Sequence, residues 1–312
     1  FKMKKKVFMS NIIEEDFKVK NRNEVLELKF LRSISKSKVY LSKKTGLVFH
    51  KDRMDPKENV KHWTRKMFKK KMNPKKGFYT DDSPIMSSRH QYLIEFLNKN
   101  IKLNNQLFCD FGAGEGGLLI KLRKNFKKLK LIGTEISHSN ILMMKSRFKK
   151  NKVKFPRIAN TSIEDFNLKQ MKLTKKIDIA SLSWTLCNCQ EPLKIIKKIK
   201  ENLKKNGLLI VGESSRVLVP FKKPIYNCFN KDNDISGKIH PWHWSFNSLK
   251  NIFKLFGFTI LAHNRYFDEN DLVIIFKNSN NYKQNFECDN YKEVLNFFSR
   301  WKRESKNYLN FK

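Results

Sequence analysis

A short apolar run that breaks into glycines constrains the fold of this chain most. Residues 107–117 read Leu-Phe-Cys-Asp-Phe-Gly-Ala-Gly-Glu-Gly-Gly, and a run with helical spacing follows at 118–122. This pattern predicts a strand, a tight turn and a helix. Glycine suits a turn that needs positive φ or that a ligand approaches closely, and a helix start offers N–H groups to anions. We therefore expect the turn to cradle a nucleotide-like ligand.

The glycine spacing alone leaves the class of ligand open. Gly112, Gly114 and Gly117 fit G-x-G-x-x-G, the dinucleotide signature, and Glu135 lies near the distance expected of a ribose-binding acid. Two features favour another ligand. Asp110 precedes the first glycine, where it can accept hydrogen bonds from a cationic or hydroxyl-bearing ligand, and the turn continues as G-x-G-x-G-G. A glycine turn that binds nothing is the remaining alternative.

Strand and helix patterns alternate through the middle of the chain. Apolar residues at helical spacing occupy 85–97 and predict a helix there. Another helix is expected from Pro192 to residue 203, and Asn206 and Gly207 are expected to end it. Further strands are predicted at residues 131–135, 153–159, 177–183 and 208–211. This alternation predicts an α/β fold with a Rossmann-like, doubly wound sheet.

The last two predicted strands distinguish this sheet from that of a dinucleotide enzyme. Residues 258–261 and 272–276 are separated by a polar loop, and we interpret them as a C-terminal antiparallel hairpin. A dinucleotide enzyme would usually continue with another βαβ half. The sheet is therefore expected to be mostly parallel with an antiparallel end.

The glycine turn, the five parallel strands and the hairpin together resemble class I S-adenosylmethionine-dependent methyltransferases over residues 78–277. The resemblance implies S-adenosyl-L-methionine as the cofactor, bound beyond the carboxyl ends of the strands. It implies that Asp110 and the glycine backbone hold the methionine moiety and that Glu135 accepts hydrogen bonds from the ribose. The predicted cofactor-binding residues are Asp110, Gly112, Ala113, Gly114, Gly116, Glu135, Ile136, Thr161, Ser162, Ile163, Ser183 and Trp184.

A His-rich stretch resembles the sugar C-methyltransferase group within that family. Residues 240–246 read His-Pro-Trp-His-Trp-Ser-Phe, similar to a segment that supplies acid–base residues in the group. The resemblance makes His240 and His243 the predicted catalytic residues, with His240 ranked first. A loop packed by Trp242 and Trp244, with histidines that only hydrogen-bond, is the alternative interpretation.

The same group begins with a zinc module that contains Cys-x-x-Cys-Gly-Leu-Val-Phe. Residues 42–49 read Ser-Lys-Lys-Thr-Gly-Leu-Val-Phe, with Ser42 and Thr45 in place of the cysteines. We therefore predict a degenerate module that holds no zinc. The group's Glu-His pair after the fourth strand is also replaced, by Cys187 and Asn188, whereas Glu191 and Pro192 keep the end of that pattern.

Charge and local motifs bear on nucleic acid as a partner. The chain has 66 Lys and Arg against 29 Asp and Glu, a net charge of +37, which is typical of proteins that bind an anionic partner. Lys far outnumbers Arg, and a genome rich in A/T codons is an alternative cause. Cys187 and Cys189 would suggest the nucleophile of RNA 5-methylcytosine enzymes, but a small-residue loop is favoured. Because the Asp/Asn-Pro-Pro-Tyr signature of adenine methylation is also absent, nucleic acid is not the favoured substrate.

The remaining features concern location and organisation. The five cysteines show no C-x-x-C spacing, no apolar run approaches a membrane span, and no signal core follows the basic start. We expect a cytoplasmic enzyme with no metal and no membrane partner, and a start at Phe1 that is trimmed or incomplete. Three segments are predicted: an arm over residues 1–80, a methyltransferase domain over 81–277, and a linker with a helix over 278–312.

The sequence therefore predicts an S-adenosylmethionine-dependent methyltransferase that acts on an oxygen or carbon atom. The expected substrate is a small molecule or a nucleotide-linked sugar. An RNA methyltransferase, and a protein that binds the cofactor without catalysis, are the alternatives. The sequence leaves the oligomeric state open.

Overall fold

The computed structural model describes residues 25–35, 37–50, 54–71, 83–214, 217–220, 224–227, 229, 239–264, 271–282 and 285–307. Within these residues the strands are β1 (Val25–Glu27), β2 (Val39–Ser42), β3 (Val48–His50), β4 (Leu107–Phe111), β5 (Lys130–Thr134), β6 (Arg157–Ala159), β7 (Ile177–Ser183), β8 (Leu203–Ser214), β9 (Trp242–His243), β10 (Phe258–His263) and β11 (Asp271–Asn278). The α-helices are α1 (Pro56–Lys71), α2 (Pro84–Asn100), α3 (Gly117–Asn125), α4 (His138–Lys150), α5 (Pro192–Asn202), α6 (Phe246–Lys254) and α7 (Tyr291–Ser305).

Seven strands form a central sheet in the order β10-β11-β8-β7-β4-β5-β6. β4 pairs in parallel with β5 and β7, and the parallel pairing extends to β6 and β8. β11 runs antiparallel to both β8 and β10. The predicted doubly wound sheet with an antiparallel C-terminal hairpin is therefore confirmed, and the carboxyl ends of β4, β5 and β7 meet at one edge.

Helices cover both faces of this sheet. One core cluster contains buried side chains of α5 and α6, such as Ile196 and Phe253. The other contains side chains of α2, α3 and α4, such as Leu93, Leu119 and Met144. Burying a side chain of this size stabilises the fold by about 1.5–3 kcal/mol, so the two layers fix the strand ends in place.

Two of the predicted boundaries are wrong. The third parallel strand begins at Arg157 rather than 153, directly after Pro156, which has no N–H to donate to a ladder. α5 ends at Asn202, and Asn206 and Gly207 lie inside β8. The register of β8 against β7 shifts there, with Asn206 at φ +62°, so the Asn-Gly pair makes a bulge instead of ending the helix.

A second sheet has the order β1-β2-β3-β9 and is antiparallel throughout. The predicted strand-turn-strand at residues 40–49 is confirmed as the β2–β3 hairpin. β9 comes from the His-rich stretch and pairs with β3 through Val48 and His243. The helix predicted from Tyr291 is α7, and its Phe298 shares a core with Leu41. The turn predicted at residues 73–77 lies outside the described residues.

Candidate active site

A cavity of about 890 Å³ lies beyond the carboxyl ends of β4, β5 and β7. It is lined by all but one of the predicted cofactor-binding residues, the exception being Gly116. The sheet topology explains this convergence, because parallel strands deliver the loops that follow them to the same edge. The cavity also extends past these residues, along α1, α2 and the loop after β7.

The glycines of the turn after β4 have different roles. Gly112 and Gly114 adopt φ values of +74° and +57° and line the cavity. A Cβ atom built on Gly114 would meet nothing within 4 Å, so this face of the turn is open to a ligand. Gly116, at φ +80°, caps the start of α3. A Cβ atom there would overlap Met144, so Gly116 serves helix packing and not the cavity.

Glu135 holds the glycine turn while lining the cavity. Its Oε2 accepts the N–H of Gly114 at 2.8 Å, and its Oε1 accepts the N–H of Ser137 at 2.8 Å and the amide of Asn140 at 3.0 Å. The residue is 6% exposed. These hydrogen bonds let one buried carboxylate fix the backbone of the glycine turn at the wall of the cavity.

Asp110 is the second acid of the site. It is 4% exposed, and its Oδ1 accepts a hydrogen bond from the Ser181 hydroxyl at 2.6 Å. Ser181 lies on the neighbouring strand β7, so the pairing of β4 with β7 orients the carboxylate. Asp110 and Glu135 therefore place two acceptors on the cavity wall, on either side of the glycine turn.

The loop after β6 supplies a further wall through Thr161, Ser162 and Ile163. The Ser162 hydroxyl donates to Asp165 at 2.7 Å and accepts the Asp165 N–H at 3.1 Å, which gives the loop a fixed turn. Glu164 also lines the cavity, and burial raises its pKa, with smaller contributions from Asp165 and Glu191. This side of the cavity is acidic.

Trp184 is held in an uncommon conformation at the end of β7. Its φ is +52°, a region that bulky residues rarely adopt without support from their surroundings. The indole Nε1 donates to Asp271 at 3.1 Å, and the Arg89 guanidinium lies 5.2 Å from the ring centroid. Arg89 also pairs with Asp271 at 2.9 Å. The ring is thus fixed as a rigid wall of the cavity.

The two predicted catalytic histidines are not among the residues that line the cavity. His240 is half-buried, is hydrogen-bonded through Nδ1 to Oδ1 of Asn188, and lies 6.4 Å from Trp63 between ring centroids. Both of those partners line the cavity. His243 is buried in the small sheet, with its Nε2 at 2.9 Å from the Nε2 of His50. The structure therefore brings His240 to the edge of the site and leaves His243 outside it.

Sequence reasoning missed one wall of the cavity. Asn59, Val60 and Trp63 of α1 line it, and the Asn59 amide donates to the carbonyl of Asn188 at 3.3 Å. His90 of α2 and Gln190 of the loop after β7 line it as well. The residues of α1 and α2 carry no signal in the sequence, because neither helix follows a strand of the predicted sheet, and Gln190 lies in a loop whose course the sequence does not specify.

The cysteines after β7 have the properties of packing residues. Cys189 lines the cavity, but burial raises the pKa of its thiol well above the ordinary value. A reactive cysteine needs a lowered pKa. The Cys189 thiol donates to the carbonyl of Thr185 at 3.3 Å. This environment does not support a nucleophile, in agreement with the favoured interpretation of the sequence.

A family model described as a methyltransferase domain matches residues 85–263, which is more than half of the chain. The chain belongs to this methyltransferase family. It is a class I enzyme whose cofactor is S-adenosyl-L-methionine, as the glycine turn indicated. The matched residues include every cavity-lining residue outside α1.

Solved structures share the fold of this methyltransferase. Magnesium protoporphyrin IX methyltransferase from Synechocystis PCC 6803 with bound SAM is 14% identical, at a TM-score of 0.50 over 72% of this chain and 97% of that one. The same enzyme with bound SAH is 13% identical, at a TM-score of 0.53 over 72% of this chain and 99% of that one. A putative O-methyltransferase from Nostoc punctiforme PCC 73102 is 16% identical, at a TM-score of 0.51 over 62% of this chain and 57% of that one. No curated protein sequence matches the chain.

The described part of the methyltransferase was predicted to hold no metal and to have no membrane partner. No group of three or more His, Cys, Asp or Glu side chains suited to a metal ion occurs there. In the same residues, no helix has the length and apolar character that crossing a membrane requires. Ser42 and Thr45, the positions of the expected degenerate zinc module, are both buried.

Proposed function

We propose that this methyltransferase transfers a methyl group to an oxygen or carbon atom of a small molecule, with a nucleotide-linked sugar as the favoured class. The observation that carries the proposal is that the cavity is lined both by the predicted cofactor-binding residues and by residues beyond them. The glycine turn, Asp110 and Glu135 form the part for the cofactor. Residues of α1, α2 and the loop after β7 form a second part, where an acceptor has room beside it.

The cofactor half has the groups that S-adenosyl-L-methionine requires. Its open face at Gly114 admits a ligand directly against the backbone. Glu135 offers charged acceptors to ribose hydroxyls, and Asp110 offers one to the cationic amino acid end. Thr161 and Ile163 border the adenine in this assignment. Ser183 and Trp184 close the methyl end, since they follow β7 next to the turn after β4.

The acceptor half suits a hydroxylated molecule. The amide side chains of Asn59, Asn188 and Gln190 line it, and amides both donate and accept hydrogen bonds. The rings of Trp63 and Trp184 add flat apolar walls. Lys57 and Lys194 also line the cavity and suit the phosphates of a nucleotide-linked sugar; Lys194 pairs with Glu191 at 2.7 Å.

The protein contributes alignment to the reaction. S-adenosylmethionine supplies an electrophilic methyl group when bound, and a rigid acceptor wall places the nucleophile in line with it. Arg89 and Asp271 hold Trp184 on that wall. His240 contacts the site through Asn188 and Trp63, and we assign it the positioning of these two side chains.

Turnover on fractionated small molecules tests this proposal. The enzyme is incubated with S-adenosylmethionine and a panel of nucleotide-linked sugars, and mass spectrometry records the gain of one methyl group and the release of S-adenosylhomocysteine. Gly114→Val, which fills the cofactor space, is the matched inactive control. Methylation of a panel member by the wild type alone supports the proposal. Cofactor binding with no methylated small molecule would contradict it.

An RNA acceptor is the second candidate, favoured by the net charge of +37. A substrate bound by Lys–phosphate contacts would lose affinity steeply as salt rises. Methylation of bulk RNA at low salt, suppressed at 200 mM salt and absent from the sugar panel, would replace the small-molecule proposal with this one.

A further inference from the structure

We infer that His90 of α2, and not a histidine of the 240–243 stretch, is the acid–base group of the acceptor site. The inference rests on the proposed function and deepens it, because it assigns a catalytic residue to the same cavity. The inference is based on the position of His90 in the wall of the cavity. Among the residues that line the cavity, His90 is the single histidine.

His90 and Trp184 lie next to each other on the wall of the cavity. The His90 ring is 6.0 Å from the Trp184 ring between centroids, in an edge-on arrangement. Thr185, the next residue, is 3.0 Å from the position that a Cβ atom of Gly112 would occupy. His90 and the glycine turn therefore each lie beside one of two consecutive residues, Trp184 and Thr185.

The position of His90 is fixed by its neighbour on α2. The Arg89 guanidinium donates to the Ser214 hydroxyl at 3.0 Å and pairs with Asp271. Ser214 ends β8 and Asp271 begins β11, so two strands of the central sheet hold this turn of the helix. His90 is 5% exposed. A group held on a rigid element in this way suits proton transfer, which needs defined geometry.

Charged groups of α1, α2, β4, β8 and β11 lie near His90 or line the same cavity. On its own helix, Arg89 is neutralised by Asp271 of β11. From β8, Glu213 faces Arg89, and burial raises the pKa of Glu213 to about 7. Asp110 of β4 and Lys57 of α1 line the same cavity. Glu213 is not among the residues that line the cavity, whereas His90 is, and an imidazole accepts and releases protons near neutral pH.

His90 is assigned the removal of a proton from the acceptor during methyl transfer. The acceptor's O–H or acidic C–H bond breaks, and the proton moves to the His90 imidazole. The electron pair left on the acceptor forms the new bond to the methyl carbon. The sulfur–methyl bond breaks, and its electron pair stays on the sulfur, which becomes the neutral thioether of S-adenosylhomocysteine. The imidazolium then releases its proton to water.

A nuclear magnetic resonance titration tests the placement without an acceptor. The imidazole signals of the protein, labelled with ¹⁵N in histidine, are followed with pH in saturating S-adenosylmethionine and, separately, in S-adenosylhomocysteine. The two ligands differ by the positive charge at sulfur. A positive charge near His90 disfavours the imidazolium, so its titration midpoint should be lower in S-adenosylmethionine by on the order of one unit.

Substitutions assign the signals and give a matched control. The signal absent from His90→Gln belongs to His90, and the exposed His138 of α4, assigned with His138→Gln, should show the same midpoint in both ligands. If both ligands bind and the His90 midpoint is the same in each, the inference is overturned while the proposed function stands. If neither ligand binds, the proposed function fails and the inference fails with it.

Turnover gives a second readout once the sugar panel yields an acceptor. His90→Gln should lower kcat about 10²–10⁴-fold and remove the loss of activity on the acidic side of the pH profile, where the base would be protonated, with cofactor affinity unchanged. His240→Gln should raise KM and keep the pH profile of the wild type. A pH profile that changes in His240→Gln and not in His90→Gln would return the acid–base role to His240.

Discussion

Gly114 and Gly116 lie two residues apart in the turn after β4 and face opposite surroundings. Gly114 faces the open cavity, and Gly116 faces Met144 of α4. Both have positive φ, so any side chain costs some backbone strain, about 1–2 kcal/mol. The difference between the two positions is therefore what the side chain meets.

Gly114→Val should abolish binding of S-adenosylmethionine and leave the protein folded, because its side chain fills the ligand space. Gly116→Ala should instead lower the free energy of unfolding, since its methyl group forces α3 and α4 apart. Calorimetry and urea denaturation of both variants separate the two effects. Full cofactor affinity in Gly114→Val would show that the turn is not the cofactor cradle.

Glu213 makes the stability of the protein depend on pH. It is fully buried at the end of β8, where its Oε1 accepts the N–H groups of Leu186 and Cys187. Burial raises its pKa to about 7, although these hydrogen bonds offset part of the rise. In the unfolded chain the carboxyl returns to about 4.3. Between these values the folded protein keeps a proton that the unfolded chain has lost.

The sign of the effect follows from that difference. The free energy of unfolding falls by up to about 3 kcal/mol as the pH rises from about 4.3 to 7, and it then levels off. Glu213→Gln keeps an oxygen for both N–H groups and cannot ionise. Urea denaturation at pH 5 and pH 8 measures the free energy of unfolding of both proteins. The difference between the variant and the wild type should shift in favour of the variant at pH 8. An equal pH dependence in both proteins would contradict this assignment.

The cavity-lining residues that end or follow a strand could be predicted from the sequence, whereas those on α1 and α2 could not. Asp110, Glu135 and Ser183 were identifiable because each ends a strand of the predicted sheet or comes directly after it, and the topology sends all of them to one edge. Trp63 and His90 lie on helices, where one aromatic or polar residue resembles many others. Their approach to the cavity depends on how α1 and α2 pack, which a local pattern does not specify.

At the scale of elements, the sheet was predictable and its boundaries were not. Ile177–Ser183 was located correctly because four of its seven residues, Ile177, Ile179, Ala180 and Leu182, are apolar and buried in the sheet. The Asn-Gly pair at 206 and 207 was interpreted as a helix stop, yet pairing with β7 draws it into β8 as a bulge. Tertiary pairing overrode a local turn signal at that point.

The β2–β3 hairpin, which the sequence predicted to be a degenerate zinc module, is closed by hydrogen bonds. The Gly46 N–H donates to the Ser42 carbonyl at 2.9 Å, and the Asp289 N–H donates to the Thr45 carbonyl at 3.2 Å. A segment before α7 thus lies against the turn. The side chains of Ser42 and Thr45 are poor zinc ligands.

Metal analysis of the purified protein should therefore find less than one equivalent of zinc, and a chelator should leave the melting temperature unchanged. Chelation has this small effect only where no metal contributes to folding. One equivalent of zinc that resists a chelator would show that the segment before α1 has been misassigned.

At the scale of the whole molecule, the small sheet joins distant parts of the chain. β1, β2 and β3 precede the large sheet, β9 comes from the stretch before α6, and α7 covers them through Phe298 and Trp301. The His-rich stretch is therefore both a strand of this sheet and a neighbour of the cavity through His240. The catalytic role predicted for His240 and His243 stays a prediction, which the turnover of His240→Gln tests.

The central claim is that the cavity at the strand ends binds S-adenosylmethionine through the turn after β4. Isothermal titration calorimetry with S-adenosylmethionine, S-adenosylhomocysteine and NAD tests it most directly. We predict binding of the first two at one site per chain and no comparable binding of NAD, with Glu135→Gln weakening both by loss of a charged acceptor. Tight binding of NAD together with no binding of S-adenosylmethionine would contradict the account.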